Sequence, residues 1–188
     1  MENITGIILA GGKSSRMGTD KGLLILNGKK IVEHISEALA QKVDTVMFIA
    51  NNVNYDFLGY KVYQDLVKNC GPMGGIYTAL EKSETEKNMI VSCDIPAVSS
   101  GMIGYIISQS ADEDALVPIH NGETEPLCAV YKKSSALKIK EIMKLGNYKM
   151  KDALQKLNTR YIDVTHYAGY TANLFLNINT PQEFKALK

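Results

Sequence analysis

The sequence predicts an α/β fold in which a mostly parallel sheet lies between two layers of helices. Short and almost wholly apolar runs, such as residues 4–10 and 45–50, have the composition of strands buried on both faces. Other segments carry apolar residues at three- and four-residue spacing, which indicates amphipathic helices. Strands that alternate with helices favour a three-layer parallel sheet, and a length of 188 residues suits a single domain.

The N-terminal half supplies the first part of this alternation. After the strand at residues 4–10, residues 23–26 form a short extended segment that the turn Asn27-Gly28 closes. Pro96 stops a strand at residues 88–93, and Ser99 or Ser100 can cap the following helix. The other elements predicted here are a helix over 31–41, strands over 45–50 and 61–64, a loop over 70–75, a helix over 76–82 and a helix that ends near 109.

The C-terminal half predicts further strands and helices in the same order. Polar and apolar residues alternate through Asn177-Ile178-Asn179, which predicts the close of a strand with both Asn side chains on one face. Thr180 and Pro181 then have the pattern of a helix cap and first turn. The other predicted elements are strands over 115–118 and 126–131 around the turn His120-Asn121-Gly122, helices over 138–145 and 150–157 joined through Gly146, and a strand over 159–164.

Composition narrows the class of protein. A net charge of +1 gives no overall attraction to nucleic acid or to an anionic membrane. No apolar run approaches the ~20 residues that span a bilayer, and the N-terminus has the pattern of a strand and not of a signal peptide. The cysteine and histidine residues lack metal-ligand spacing, and the three cysteines suit a reducing compartment. We therefore expect a cytoplasmic protein.

The loop after the first strand has the chemistry of a polyphosphate site. Gly11 and Gly12 let the backbone approach a ligand closely, so that loop N–H groups can point at anionic oxygens. Lys13, Arg16 and Lys21 add positive charge that suits phosphate. Such a density of glycine and basic residues favours phosphate binding over an ordinary turn.

Two familiar phosphate motifs do not fit this loop. The P-loop pattern needs a glycine where this chain has Ile7, and Gly6 is one residue out of register. The dinucleotide fingerprint needs a different spacing of glycines and an immediate helix. A P-loop hydrolase is therefore disfavoured.

Polar residues follow several predicted strands, at the edge where parallel α/β sheets bind ligands. Asp94 follows a buried strand and suits Mg²⁺, which prefers one or two carboxylates with water and phosphate oxygens, although a turn or helix-capping Asp is an alternative. Asp65 could contact a nucleotide, help to hold the metal or belong to an ordinary loop, and Asn51-Asn52 ends another strand. Residues 71–75 permit close packing against a base or a ribose.

The pattern Leu-Ala-Gly-Gly-x-Ser-x-Arg-Met-Gly-x-Asp-Lys over residues 9–21 resembles the signature of the nucleotidyltransferases that act on sugar phosphates, polyol phosphates and molybdopterin. Within that superfamily it looks most like the molybdenum cofactor guanylyltransferases of the MobA type. The resemblance covers nearly the whole chain. It implies one Rossmann-like domain of the nucleotide-diphospho-sugar transferase type over residues 1–188, with nucleotide binding in residues 1–100 and acceptor binding in residues 101–188.

The resemblance also implies a role for individual residues. The catalytic residues are Arg16, Lys21 and Asp94. The nucleotide-binding residues are Leu9, Ala10, Gly11, Gly12, Lys21, Asp65 and Asp94, and the cofactor is Mg²⁺ on Asp94. The acceptor-binding residues are Asn177 and Asn179, with Glu125-Pro126-Leu127 in the segment where the family lines its acceptor pocket.

The implied reaction transfers GMP from GTP to the terminal phosphate of molybdenum-molybdopterin and releases pyrophosphate. The partners are these substrates and other proteins of molybdenum cofactor biosynthesis and molybdoenzyme maturation, without nucleic acid or membrane. Relatives that use CTP carry Ala-Ala-Gly where this chain has Ala10-Gly11-Gly12. Many relatives have paired arginines where this chain has Lys149 and Lys151. A CTP-using or sugar-phosphate nucleotidyltransferase and a non-catalytic GTP-binding delivery protein remain the alternatives.

Overall fold

The structure contains one mixed, mostly parallel main sheet, whose central strands are apolar runs of the sequence, and a separate pair of short antiparallel strands, Ile25–Leu26 and Lys29–Lys30. The structure, a computed structural model, describes residues 3–10, 20–51, 55–178 and 180–186. The strands are β1 (Ile4–Leu9), β2 (Ile25–Leu26), β3 (Lys29–Lys30), β4 (Thr45–Ile49), β5 (Lys61–Tyr63), β6 (Lys87–Ser92), β7 (Ala115–His120), β8 (Glu123–Thr124), β9 (Cys128–Lys132) and β10 (Thr159–Asp163). The helices are α1 (Ile31–Ala40), α2 (Gly71–Lys82), α3 (Ser100–Gln109), α4 (Ala136–Lys144), α5 (Met150–Lys156) and α6 (Pro181–Ala186).

The main sheet has the strand order β10-β7-β9-β6-β1-β4-β5, with β8 paired to β7. β1 pairs in parallel with both β4 and β6, and β10 pairs in parallel with β7. β9 runs antiparallel to its neighbours β6 and β7. Asn121 and Gly122, both with positive φ, make the predicted turn between β7 and β8, as hairpins of this kind require.

Helices cover both faces of this sheet, as the sequence predicts. On one face, α1 and α3 pack on residues such as Ile8 and Val91. On the other face, α2, α4 and α5 pack on residues such as Ile7 and Ile90. Neighbouring residues of a central strand thus point into different cores, which explains why strands such as β1 and β6 are buried on both faces. Within the described ranges, no helix combines the length and apolar character needed to cross a bilayer.

One predicted loop is helical. The sequence predicts a loop over residues 70–75, but α2 begins at Gly71 and has a proline, Pro72, in its first turn. Proline is favourable there because its fixed φ suits the start of a helix and the missing N–H would have no partner in that turn. Thr78 reinforces the start of the helix, since its hydroxyl donates to the carbonyl oxygen of Gly74 and accepts from the N–H of Leu66.

The strand predicted to close at residues 177–179 does not form in the described part of this segment. A 3₁₀ turn spans Ala172–Phe175, and residues 176–178 are irregular. The N–H of Ile178 donates to the backbone oxygen of Asp94 at 2.8 Å instead of joining a strand ladder. Asn179 lies outside the described residues. The alternation of polar and apolar residues here reflects one anchored side chain, the buried Ile178.

Smaller differences lie at element ends. β7 runs to His120 instead of ending at residue 118, and β9 starts at Cys128 instead of residue 126. Pro126 has no N–H to give to the ladder, which favours the later start of β9. α4 begins at Ala136, two positions before the predicted start.

Candidate active site

A cleft of about 720 Å³ opens at the edge of the sheet where β1, β4, β5 and β6 end. Its volume is in the usual range of small-molecule sites. The predicted nucleotide-binding residues that the structure describes all line this cleft, namely Leu9, Ala10, Lys21, Asp65 and Asp94. Gly11, Gly12 and Arg16 lie outside the described residues. The structure therefore brings together every described member of this predicted set.

The sheet register places these residues side by side. Leu9, at the end of β1, pairs with Ile49 of β4 and with Ser92 of β6. The N–H of Ala10 donates to the carbonyl oxygen of Ile49, and the N–H of Cys93 donates to that of Leu9. The three strands thus end together, and the residues that follow them share one edge.

Asp65 is held in place by an amide side chain from the neighbouring strand end. The Nδ2 atom of Asn51 donates to Oδ2 of Asp65 at 2.7 Å, and the N–H of Asp65 donates to Oδ1 of Asn51 at 3.1 Å. Oδ1 of Asp65 lies 3.8 Å from where a Cβ on Gly75 would be. One carboxylate oxygen is therefore fixed by Asn51, and the other lies beside the glycine face of α2.

The first turns of α2 give the cleft a wall with little side-chain bulk. Gly71, Pro72 and Gly75 line it. Because glycine has no Cβ, a flat ligand can approach the backbone closely at Gly75. The helix start also supplies N–H groups without intrahelical partners. This wall suits a planar, hydrogen-bonding group such as a nucleobase.

Lys21 reaches the cleft from a 3₁₀ turn at Lys21–Leu23 that Asp20 caps. Oδ1 of Asp20 accepts from the N–H of Gly22 at 3.1 Å and from the hydroxyl of Tyr55 at 2.5 Å. Burial, together with this hydrogen bond to Asp20, raises the pKa of Tyr55 well above its ordinary value. Sequence reasoning missed Tyr55, and no local pattern marks it, because it approaches Asp20 from a distant part of the chain.

The C-terminal segment contacts the backbone of Asp94, which lines the cleft. The backbone oxygen of Asp94 accepts from the N–H of Ile178, so that Asn177 is held one residue from this anchor. Asn177 is partly exposed. One of the two predicted acceptor-binding residues is therefore brought close to the chain segment of the predicted metal ligand.

A largely buried pair of a histidine and a glutamate lies at the β7–β8 hairpin. Nε2 of His120 and Oε1 of Glu125 are 2.8 Å apart, and their side chains are 11% and 13% exposed. The ring of Phe175 stacks on that of His120 with centroids 4.6 Å apart. Burial raises the pKa of Glu125, the nearby negative charge of Asp94 adds to this effect, and His120 opposes it. The pair could have been found from sequence only by noting a His and a Glu on either side of a tight hairpin.

Residues 125–127 separate the cleft from a second cavity of about 570 Å³. Leu127 lines the first cavity, whereas Pro126 lines the second together with Lys151 and Tyr161. Lys151, one of the lysines that replace the paired arginines of many relatives, therefore faces this second cavity and not the nucleotide cleft.

The donor set at the cleft fits a divalent cation that is shared with a ligand. The described residues contain no group of three or more His, Cys, Asp or Glu side chains that could enclose a metal ion. Asp94 makes no side-chain hydrogen bond to the described residues and lines the cleft. Mg²⁺ bound by one carboxylate, water and phosphate oxygens needs no more from the protein than this.

The fold is a sheet between two layers of helices, and a cleft with a glycine wall, a lysine and two carboxylates opens at the carboxyl edge of that sheet. This combination is typical of α/β proteins that bind nucleotides. The chain belongs to the MobA-like NTP transferase family, whose model matches residues 6–161. The protein named "Probable molybdenum cofactor guanylyltransferase" from Flavobacterium johnsoniae is 37% identical over 188 residues, with 100% of this chain and 97% of the relative covered.

Further relatives are similar over nearly their whole length. The molybdenum cofactor guanylyltransferase of Vibrio campbellii is 32% identical over 182 residues, with 94% of this chain and 91% of that protein covered. The crystal structure of molybdopterin-guanine dinucleotide biosynthesis protein A from Archaeoglobus fulgidus superposes with a TM-score of 0.83 at 26% identity. That match covers 97% of this chain and 96% of the other. The fold expected from the sequence is thereby confirmed.

Proposed function

We propose that this chain is a molybdenum cofactor guanylyltransferase, which transfers GMP from GTP to the terminal phosphate of molybdenum-molybdopterin. The observation that carries this proposal is the convergence of Lys21, Asp65 and Asp94 on one cleft. The names of relatives that match the chain over nearly its full length support the choice of substrates.

In the proposed reaction, an oxygen of the acceptor phosphate forms a bond to the α-phosphorus of GTP. The bond from that phosphorus to the bridging oxygen breaks, and its electron pair leaves with pyrophosphate. The acceptor brings its own anionic nucleophile, so the protein contributes orientation and charge neutralisation. Bound Mg²⁺ supplies positive charge beside the phosphate oxygens.

The chain's residues divide these tasks. Asp94 is the carboxylate that would hold Mg²⁺, and Lys21 lies where it can neutralise phosphate charge. Arg16, from the glycine-rich loop with Gly11 and Gly12, is proposed to bind phosphate in the same way. Asp65, fixed by Asn51, is proposed to contact the nucleoside next to Gly75.

The acceptor is assigned to the C-terminal part of the chain, residues 101–188, and the nucleotide to residues 1–100. The hydrogen bond from the N–H of Ile178 to the backbone oxygen of Asp94 supports this division, because it joins the segment that contains Asn177 to a residue that lines the cleft. Asn179 is proposed to bind the acceptor together with Asn177. Glu125 lies near Asp94, whose negative charge contributes to the raised pKa of Glu125.

The choice of guanine is tested by comparing nucleotides. Ala10-Gly11-Gly12 leaves more room than the Ala-Ala-Gly of CTP-using relatives, and a site that pairs with a base edge discriminates strongly. With molybdenum-molybdopterin as acceptor, we expect kcat/KM for GTP to exceed that for ATP and CTP at least about tenfold, or ~1.4 kcal/mol. Pyrophosphate release is the measurement, and a reaction without acceptor is the control.

Two outcomes would contradict the proposal in different ways. Equal use of CTP and GTP would replace guanylyl transfer with another nucleotidyl transfer. GTP binding without any release of pyrophosphate would favour the non-catalytic delivery protein.

A further inference from the structure

Tyr55 combines complete burial with a hydrogen bond from its hydroxyl to the segment that carries Lys21. Its side chain is 0% exposed, and its ring stacks on Phe48 with centroids 5.7 Å apart. Its hydroxyl donates to Oδ1 of Asp20 at 2.5 Å. A buried hydroxyl bonded to a carboxylate is a strong and directional contact, because the acceptor is charged and water is excluded.

The same carboxylate oxygen also fixes the backbone of the next turn. It accepts from the N–H of Gly22 at 3.1 Å. A Cβ on Gly22 would lie 2.6 Å from the hydroxyl oxygen of Tyr55 and 2.7 Å from Cγ1 of Val32. The backbone at residue 22 therefore rests directly on the Tyr55 hydroxyl, and only glycine leaves room for this contact.

Lys21 stands between these two contacts. Asp20 precedes it and Gly22 follows it, and both are bonded to or packed against Tyr55. The N–H of Leu24 donates to the carbonyl oxygen of Lys21 at 3.1 Å, which closes the turn. The backbone on both sides of Lys21 is thus fixed relative to the core, while its side chain lines the cleft.

We infer that Tyr55 is a positioning residue for the nucleotide, which holds Lys21 at the cleft through Asp20 and Gly22 without touching the substrate. The inference rests on the proposed function, because it assigns Lys21 to the phosphates of GTP. It accounts for a polar group that is fully buried against the ring of Phe48. A tyrosine that only filled space would be replaced by phenylalanine without effect on nucleotide binding.

Tyr60 provides a matched control. Its ring also stacks on Phe48, with centroids 5.8 Å apart, but it is partly exposed, and its hydroxyl makes no hydrogen bond to the described residues. Tyr55→Phe and Tyr60→Phe therefore remove the same atom from neighbouring rings, but only the first removes the bond to Asp20.

The experiment measures GTP binding with Mg²⁺ by calorimetry and GMP transfer by pyrophosphate release, for folded variants compared by thermal unfolding. We expect Tyr55→Phe to weaken GTP binding or lower kcat/KM about tenfold, and Tyr60→Phe to leave both within about twofold. The Lys21→Ala variant shows how much GTP binding and kcat/KM fall when the lysine side chain is absent. Since Tyr55 acts through Lys21, Tyr55→Phe should cost little more in the Lys21→Ala background.

Equal behaviour of the two phenylalanine variants, or additive losses in the double variant, would overturn the inference. If Tyr55→Phe does not fold, Asp20→Asn replaces it, because this change weakens the same hydrogen bond while Tyr55 stays in place. Asp20→Asn must then lower GTP binding or kcat/KM, and must cost little more when it is combined with Lys21→Ala. Wild-type protein that binds GTP without transferring GMP refutes the proposed function but leaves the binding cycle as the test of Tyr55. Wild-type protein that binds no GTP overturns both.

Discussion

At the scale of single residues, the two carboxylates of the cleft are held in different ways. Asp65 is bonded through its side chain to the amide of Asn51. Asp94 is anchored through its backbone, which accepts from Ile178, and its side chain makes no hydrogen bond to the described residues. The first arrangement orients a carboxylate for a hydrogen-bonding ligand. The second leaves a carboxylate available to a cation that the nucleotide also binds.

Asp94→Asn is expected to lower GMP transfer at least about 100-fold while the unfolding midpoint stays near that of the wild type. The amide keeps the size of the side chain but removes the charge that would hold Mg²⁺. The measurement is the initial rate of pyrophosphate release over a series of Mg²⁺ concentrations. Asp112→Asn is the control, since the side chain of Asp112 is fully exposed on the surface and paired with Lys132. Near-normal turnover of Asp94→Asn at ordinary Mg²⁺ would remove Asp94 from the metal site.

At the scale of elements, α2 shows how a helix can serve both core and ligand. It begins at Gly71 and contains two consecutive glycines with different surroundings. A Cβ on Gly74 would lie 3.0 Å from the carbonyl oxygen of Val67 and 3.0 Å from Cβ of Cys70. A Cβ on Gly75 would meet Leu9 at 3.4 Å, an ordinary contact, and Gly75 lines the cleft. Gly74 is therefore packed against the protein, whereas Gly75 faces the cleft.

Alanine at these two positions is expected to have opposite effects on stability. Gly75→Ala should raise the free energy of unfolding by about 0.5–1 kcal/mol, because alanine favours the helix, and should weaken GTP binding about tenfold by filling the cleft wall. Gly74→Ala should lower the free energy of unfolding by about 1–3 kcal/mol, because neither the Val67 carbonyl nor Cβ of Cys70 can move away easily. Urea unfolding and calorimetry measure both quantities. Unchanged GTP affinity in Gly75→Ala would place the nucleoside elsewhere.

At the scale of the whole molecule, single polar contacts join distant parts of the chain. The hydrogen bond from the N–H of Ile178 to the backbone oxygen of Asp94 joins the C-terminal segment to a residue that lines the cleft. Asp114 does the same at the other end of the sheet, where its Oδ2 accepts from Nζ of Lys138 at 2.6 Å and from the N–H of Asn158 at 2.7 Å. It thereby connects the segments before β7 and β10 with α4.

Asp114→Asn is expected to lower the free energy of unfolding by about 1–3 kcal/mol at neutral pH. Burial alone would raise the pKa of Asp114, but the hydrogen bonds from Lys138 and Asn158 outweigh this effect and hold the pKa below its ordinary value. A lowered folded-state pKa gives stability that is present above the ordinary pKa and lost as the pH falls through the folded-state value.

The deficit of Asp114→Asn should therefore shrink as the pH falls below about 4, which urea unfolding at neutral and acid pH measures. Asp112→Asn, on a fully exposed side chain, serves as the control. A deficit that does not change with pH would show that the charge of Asp114 contributes nothing.

The sequence by itself determined most strands of the main sheet, the two layers of helices and the edge at which the cleft opens. Runs such as residues 4–10 are buried on both faces, and this local pattern identifies a buried strand. It does not fix the direction of the strand, since β9 is equally buried and runs antiparallel to both of its neighbours. Because ligands bind where parallel strands end, the sequence predicts Lys21 and Asp94 as site residues, and the resemblance to the nucleotidyltransferases adds Asp65. Their roles in binding and catalysis stay predictions.

Only the tertiary structure decided which groups meet across long distances in the chain. The hydroxyl of Tyr55 reaches Asp20, the ring of Phe175 stacks on that of His120, and the N–H of Ile178 donates to the backbone oxygen of Asp94 instead of extending a strand. The sequence predicts a loop over residues 70–75, whereas α2 begins at Gly71, and Gly74 packs there against Cys70 and the carbonyl group of Val67. Periodicity and turn chemistry are properties of neighbours in sequence, whereas these contacts depend on how separate elements pack together. They are therefore fixed only when the sheet and its two layers of helices have assembled.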